Sequence, residues 1–120
     1  GCGGAPLPDA LAQAFFDRGV RVCNGMGMTE TGPTLFLMDP ENAVRKIGSV
    51  GKPQILSAVR IVGPDGTDVP QGEAGELWIG GSGITPGYWR KPEATRAAFS
   101  PDGWLRSGDL ARQDEEGYFY

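Results

Sequence analysis

The sequence contains no histidine, and this absence removes several kinds of catalytic site. Ser-His-Asp and Cys-His catalysis both depend on an imidazole that takes the proton of the nucleophile. Cysteine is scarce as well, because the chain has two, Cys2 and Cys23, without the spacing of a metal site. Two such thiols with no signal peptide before them are typical of a reducing compartment. We therefore expect a cytoplasmic protein with Cys23 as a small core residue.

Long apolar runs and blocks of like charge are also missing. No apolar stretch approaches the length of a membrane span, so a transmembrane helix is not expected. The 11 basic and 15 acidic residues give a net charge of −4 and are spread along the chain. No run of five like charges suggests a nucleic-acid or membrane surface. Charge alone therefore predicts no macromolecular partner.

Glycine and proline are abundant, with 20 and 10 residues among 120. This share lies close to the range typical of disordered chains. The glycines and prolines separate apolar segments, however, as turn residues do, and three Trp, three Tyr and five Phe supply material for a core. We therefore expect one folded unit with many turns.

The first third of the chain has the pattern of an α/β connection. Residues 8–16 (PDALAQAFF) repeat apolar positions near helical spacing, and Gly19 supplies a stop signal. Residues 20–23 (VRVC) then predict a strand that enters a glycine-containing turn.

The sequence pattern becomes typical of β-strands from residue 47 onward. Residues 57–62 and 75–79 predict strands, linked through a Pro-Asp-Gly turn at residues 64–66. Residues 92–99 predict a short helix with Pro92 in its first turn, and residues 103–110 are expected to pair with 117–120. The sequence thus predicts an α/β segment over residues 1–46 and an antiparallel β-rich segment over 47–120.

The turn after the predicted strand carries residues suited to a phosphate and its metal. Residues 24–32 read NGMGMTETG, which places the hydroxyl of Thr29 beside the carboxylate of Glu30. A threonine hydroxyl can donate to a phosphate oxygen, and a carboxylate is a hard ligand for Mg²⁺. Taken alone, so short a match is better explained as a polar turn.

Three further segments follow in a fixed order around this turn. They are GGAPL at residues 3–7, GELWIGG at 75–81 with GYW at 87–89, and GWLRSGDL at 103–110. The ordered set resembles the adenylate-forming superfamily of acyl-CoA synthetases, luciferases and peptide-synthetase adenylation domains. The resemblance implies the C-terminal part of the large domain, an α/β piece followed by antiparallel strands of a distorted barrel, ending just before the hinge. Because the chain begins with Gly1 and ends within a predicted strand, we interpret it as a fragment.

The resemblance also implies a reaction. Such enzymes use ATP and Mg²⁺ to convert a carboxylic acid, here of the fatty or aryl kind, to an acyl-adenylate, which is then transferred to coenzyme A. The pyrophosphate loop and the lysine of the mobile domain are not among these residues. The fragment by itself is therefore expected to be inactive.

Individual roles follow only where this sequence matches the motifs of the family. Thr29 is expected to contact phosphate and Glu30 to bind Mg²⁺. Asp109, in Ser-Gly-Asp, is expected to accept hydrogen bonds from both ribose hydroxyls, although an aspartate after glycine is also common in turns.

The adenine is expected to lie between two glycine-containing segments. Gly4, Ala5 and Pro6 match the segment whose backbone edges the purine. Met26 stands where the family usually has an aromatic residue stacked on adenine, and a thioether replaces that stacking with a polarisable apolar contact. Gly27 follows it and is expected to let the backbone lie close to the nucleotide.

Two other functions remain open on this sequence. A peptide-synthetase adenylation domain would share every motif above but use a carrier protein as acceptor. A non-catalytic β-rich module would instead bind carbohydrate or peptide through exposed aromatic residues. The aromatic residues of the motifs are predicted to be core residues, namely Trp78, Tyr88, Trp89 and Trp104. Phe36 is expected to lie in the core or against an acyl group, and residues 48–53 (GSVGKP) match a loop near the substrate.

Overall fold

The computed structural model describes residues 1–120 and contains two short helices and six strands. The first sheet has the order β1-β2-β3 and the second β4-β5-β6, and all pairs are antiparallel. None of the helices is long and apolar enough to cross a membrane. The elements are α1 (Asp9–Phe16), β1 (Gly25–Met28), β2 (Gly32–Leu37), β3 (Lys52–Pro53), β4 (Ser57–Val62), β5 (Gly75–Gly81), α2 (Pro92–Ala98) and β6 (Leu105–Ala111).

The predicted strand at residues 20–23 is wrong, because this segment joins no ladder. The strand lies instead on the glycine-containing residues that follow, and β1 forms a hairpin with β2. The hairpin brings the backbones so close that a Cβ atom on Gly27 would lie 2.4 Å from the carbonyl oxygen of Pro33. Strand pairing here thus requires glycine, which strand propensity disfavours.

Local patterns identified both helices and the β4 and β5 segments correctly. Helix α1 begins after Pro8, and Gly19 follows it with φ +77°, while α2 begins with Pro92 at its first turn. Strands β4 and β5 occupy the predicted segments and pair along six positions. Alternating β-branched residues and a Pro-Asp-Gly turn were sufficient to indicate this hairpin.

The expected barrel is not present, because β4 and β6 are the two edges of an open sheet. The predicted pairing of residues 103–110 with 117–120 is also wrong. Strand β6 pairs with β5, whereas Tyr120 exchanges backbone hydrogen bonds with Arg112, and Phe119 pairs with Gly51. The end of the chain thus links residues 112–114 to the loop before β3.

The largest core cluster lies where the two sheets meet. Phe36 on β2 is fully buried, and its ring centroid lies 4.9 Å from that of Phe119. The cluster continues through the second sheet with Leu77, Ile79 and Leu105. Residues from both predicted segments therefore share one core.

A charged cluster fastens the loop before β3 to the turn at residues 114–117. The Arg45 guanidinium binds Glu116 through two nitrogens at 2.6 and 2.7 Å. Lys46 Nζ lies 2.6 Å from Asp114 Oδ2 and 2.7 Å from Glu116 Oε1. The hydrogen bonds from Arg45 and then Lys46 lower the pKa of Glu116 from 4.5 to about 2.

This cluster predicts a loss of stability in acid. Because the folded pKa of Glu116 lies below its unfolded value, the unfolded chain binds more protons between these two values. The contribution to the free energy of unfolding is complete above about pH 4.5 and is lost as the pH falls towards 2. Urea unfolding across this range should show a shallower pH dependence for Glu116→Gln. Glu115→Gln removes the same charge outside these ion pairs and should keep the original dependence.

Candidate functional site

One cavity of about 490 Å³ gathers most of the predicted site residues from both ends of the chain. Its walls include Phe36 and Leu77 from the core, Phe119 and Tyr120 from the end of the chain, and Val50 from the loop predicted to lie near a substrate. The predicted residues that line it are Gly4, Ala5, Pro6, Met26, Gly27 and Asp109.

The first wall of the cavity is the loop before α1. Backbone hydrogen bonds of 2.9 Å join Cys2 N to Cys23 O and Gly25 N to Cys2 O, so this loop runs beside the start of β1. A Cβ atom on Gly3 would lie 3.0 Å from Gly25 O, whereas nothing approaches the corresponding position on Gly4, whose φ is +85°. Gly3 thus allows close packing of backbones, and Gly4 leaves open space next to Ala5 and Pro6.

The second wall is β1, where Met26 and Gly27 follow one another. Met26 pairs with Phe36 across the hairpin and is partly buried against the main core cluster. It also lines the cavity, so its side chain lies between the core and the open space. Gly27 falls at a register shift between Met26 and Met28, which is the geometry of a β-bulge. The hairpin itself therefore demands this glycine, whatever lies in the cavity.

The third wall carries Asp109 on a bulge of β6. Strand β5 advances two residues from Glu76 to Trp78 while β6 advances four from Arg106 to Leu110, so residues 107–109 leave the ladder. Such bulges re-aim side chains at the edge of a sheet. Asp109 is exposed and lines the cavity.

Three hydrogen bonds hold this bulge in place. Ser107 Oγ donates to Leu77 O at 2.7 Å and accepts from Asp109 N at 3.1 Å. Gly108, with φ +77°, donates its N–H to Glu76 Oε1 at 3.2 Å. These bonds use the backbone of Asp109 and leave its carboxylate available to accept donors from a ligand.

Thr29 and Glu30 lie outside the lining of this cavity. They form the turn of the β1-β2 hairpin, two and three residues beyond Gly27. Thr29 is exposed, and Glu30 is partly buried. Thr31 secures the turn, because its hydroxyl accepts the Met28 N–H at 3.2 Å. The predicted phosphate and metal residues therefore stand beside the cavity, at one end of β1.

The carboxylate of Glu30 has one protein partner. Tyr88 donates its hydroxyl to Glu30 Oε1 at 2.7 Å, which leaves Oε2 without a hydrogen bond from the chain. No group of three or more acidic, cysteine or histidine residues could form a protein cage for a metal ion. Mg²⁺ is commonly held by one or two carboxylates together with substrate phosphates and water. A single carboxylate with a free oxygen thus fits that ion, whereas it would not fit Zn²⁺.

The prediction that all four motif aromatics lie in the core is wrong for two of them. Trp89 is 84% exposed and Tyr88 is 39% exposed. Trp78 is buried and Trp104 is partly buried. The guanidinium of Arg60 lies 5.7 Å from the ring centroid of Trp78 and 5.3 Å from that of Trp104. These aromatics do not form one exposed platform, as a carbohydrate-binding module would require.

Comparison with known proteins identifies the family of this chain. The profile of the family described as AMP-binding enzyme matches residues 1–89. A feruloyl-CoA synthase of Amycolatopsis sp. is 46% identical over 119 residues, which are 99% of this chain and 24% of that protein. The sulfoacetate–CoA ligase of Cupriavidus necator is 44% identical over 117 residues, which are 97% of this chain and 23% of that protein.

Solved structures with a similar fold include coenzyme A synthetases. The o-succinylbenzoate coenzyme A synthetase of Bacillus subtilis, in complex with ATP and magnesium ion, matches with a TM-score of 0.86 and 35% identity over 98% of this chain and 24% of that one. A double mutant of that enzyme with a product analogue gives 0.90 at the same identity and coverage. This chain spans about a quarter of the length of the relatives it matches. By sequence and by fold, it belongs to the AMP-binding enzyme family of adenylate-forming acyl-CoA ligases.

Proposed function

We propose that this chain supplies the ribose, adenine and metal contacts of an ATP-dependent ligase that activates a carboxylic acid and transfers it to coenzyme A. One observation carries the proposal. The cavity brings the Gly4 loop, the strand with Met26 and the exposed carboxylate of Asp109 to one place, although they are far apart in the sequence. This is the set of contacts that a nucleoside needs, with an apolar face for the base and an acceptor for the sugar.

In the proposed reaction, a carboxylate oxygen of the acid attacks the α-phosphorus of ATP. The new oxygen–phosphorus bond gives the acyl-adenylate, and the bond to the β-phosphate breaks to release pyrophosphate. Both reactants are anions, so the protein contributes mainly by positioning them and neutralising charge. A Mg²⁺ ion bound with the nucleotide would supply part of that neutralisation.

Four residues of this chain have separate roles in the proposed reaction. The Asp109 carboxylate accepts hydrogen bonds from both ribose hydroxyls and so fixes the sugar, while Met26 lies against one face of the purine. Thr29 donates its hydroxyl to a phosphate oxygen, and Glu30 offers Oε2 to the metal. Gly27 lines the cavity and Glu30 lies three residues further on, so a nucleotide with its base on Met26 would place its phosphates near the hairpin turn.

The substrate class rests on the relatives. Feruloyl-CoA synthase, sulfoacetate–CoA ligase and o-succinylbenzoate coenzyme A synthetase are named for different acids, and coenzyme A is the acceptor in all three names. We therefore propose a fatty or aryl carboxylic acid as substrate and coenzyme A as acceptor. The thioester product, measured with coenzyme A and with a carrier protein, separates this function from that of a peptide-synthetase domain.

Asp109→Ala tests the proposed nucleotide site in the full-length ligase. Loss of hydrogen bonds to a charged acceptor is expected to raise the KM for ATP by roughly tenfold or more, or about 1.5–3 kcal/mol, with a smaller change in the KM for the acid. Acid-dependent pyrophosphate exchange measures both constants. Glu73→Ala, which removes an exposed carboxylate away from the cavity, is the matched control. An unchanged KM for ATP in Asp109→Ala would contradict the proposed ribose contact.

A further inference from the structure

The turn that carries Glu30 is held by a second segment, residues 83–88. The N–H of Thr85 donates to the main-chain oxygen of Glu30 at 2.7 Å, and the Tyr88 hydroxyl donates to its carboxylate at 2.7 Å. Glu30 is thus fixed from this segment through both its backbone and its side chain. Glu30 and Tyr88 are 58 positions apart in the sequence, so the hydrogen bond between them depends on the fold.

Tyr88 is itself held firmly. Its N–H donates to Thr95 Oγ1 at 2.9 Å, and that hydroxyl donates to Lys91 O at 2.9 Å, in the first turns of α2. Gly87 has φ +144°, and a Cβ atom there would lie 2.6 Å from the Thr95 side chain, so the backbone packs directly on this helix. Thr85 Oγ1 also donates to Gly87 O at 3.0 Å. The phenol is therefore presented to Glu30 from an ordered support.

Burial does not explain the presence of this tyrosine. Tyr88 is 39% exposed and belongs to neither core cluster, so a place in the core does not account for it. Its polar contact is specific, because the Tyr88 hydroxyl donates to Glu30 Oε1 at 2.7 Å. Carboxylates that bind metals are themselves commonly oriented by hydrogen bonds from neighbouring groups.

We propose that Tyr88 is the positioning residue of Glu30: by holding Oε1, it fixes the carboxylate so that Oε2 faces the magnesium–phosphate group. This inference rests on the proposed function, and it adds a residue that does not touch ATP, the acid or the metal. Without the phenol hydroxyl, the Glu30 carboxylate loses the group that fixes its orientation. Binding of the metal must then also order this side chain, which lowers the affinity.

Tyr88→Phe in the full-length ligase removes only the hydroxyl. We expect the Mg²⁺ concentration for half-maximal pyrophosphate exchange to rise roughly tenfold or more, the range seen when groups that orient metal ligands are removed. The KM for the carboxylic acid should change less than twofold. Calorimetric titration of ATP should show the same loss of affinity with Mg²⁺ present and a much smaller loss without it.

Tyr118→Phe is a matched control, because Tyr118 does not line the cavity and its hydroxyl donates at 2.6 Å to Asp39 Oδ2, not to Glu30. This variant should lower the melting temperature and leave the Mg²⁺ requirement unchanged. An unaltered requirement in Tyr88→Phe, or an equal rise in Tyr118→Phe, would overturn the assignment.

A second measurement does not need activity. The ¹³C resonance of Tyr88, in protein with tyrosine labelled at Cζ, should shift at constant pH in Glu30→Ala, because the phenol hydroxyl then loses its acceptor. An unchanged resonance would show that the contact is absent and overturn the inference. Failure of the unaltered ligase to exchange pyrophosphate would instead refute the proposed function.

Discussion

Glu30→Gln is expected to slow adenylation by the full-length ligase roughly 30- to 1000-fold, about 2–4 kcal/mol, by analogy with the loss of one transition-state donor. The amide keeps an oxygen that accepts the Tyr88 hydroxyl, so the hairpin turn should stay folded. What it loses is the negative charge that would stabilise the metal beside the phosphates. The melting temperature should therefore change far less than the rate.

The measurement is pyrophosphate exchange over a Mg²⁺ titration, with Glu41→Gln as a control that removes one exposed carboxylate elsewhere. High Mg²⁺ should restore part of the rate in Glu30→Gln, because weaker binding is offset by mass action. Full activity of Glu30→Gln at every Mg²⁺ concentration would remove this residue from the metal site.

Local sequence signals identified the two helices and the β4-β5 hairpin. Helix α2 has Pro92 at its first turn, and the β4-β5 hairpin has β-branched residues on both sides of Pro-Asp-Gly. These features favour one structure before any tertiary contact forms. Patterns of this kind therefore gave the correct element type and nearly correct bounds.

The β1-β2 hairpin could not be predicted in the same way. Its first strand reads GMGM, and glycine is a poor strand former in isolation. The strand exists because Gly25 and Gly27 allow the partner backbone of Phe36 and Pro33 to approach, which is a tertiary condition. The apolar residues 20–23 have higher strand propensity, but no partner strand lies beside them.

In the candidate site, too, some features could be predicted from the sequence and others depend on tertiary contacts. Motif positions predicted Asp109, Met26 and the Gly4 segment, and the fold gathers them at one cavity. The sequence predicts a core position for Tyr88, because aromatic residues in a β-rich chain are usually buried. Its polar role depends on a hydrogen bond to a residue 58 positions away, for which the sequence offers no signal beyond the GYW motif.

Phe36→Ala is expected to have the largest effect on stability, about 3–5 kcal/mol, because it removes a fully buried ring where the two sheets meet. The ring contacts Phe119, which also lines the cavity, so the loss is not confined to the first sheet. Domains of this size are stable by only about 5–15 kcal/mol, so much of that stability should disappear. Thermal unfolding should show a fall in Tm of roughly 10–20 °C.

The adjacent Leu37 supplies the control, because it lies on the same strand but is 44% exposed. Its side chain lies outside the core cluster, so Leu37→Ala should lower the free energy of unfolding by less than about 1 kcal/mol. Phe36→Ala should also weaken ATP binding in the full-length ligase, since the ring forms part of the cavity wall. Equal losses of unfolding free energy for the two variants would mean that the Phe36 ring does not hold the two sheets together. The cavity wall that this ring forms would then not be what brings Met26 and Asp109 to one ligand.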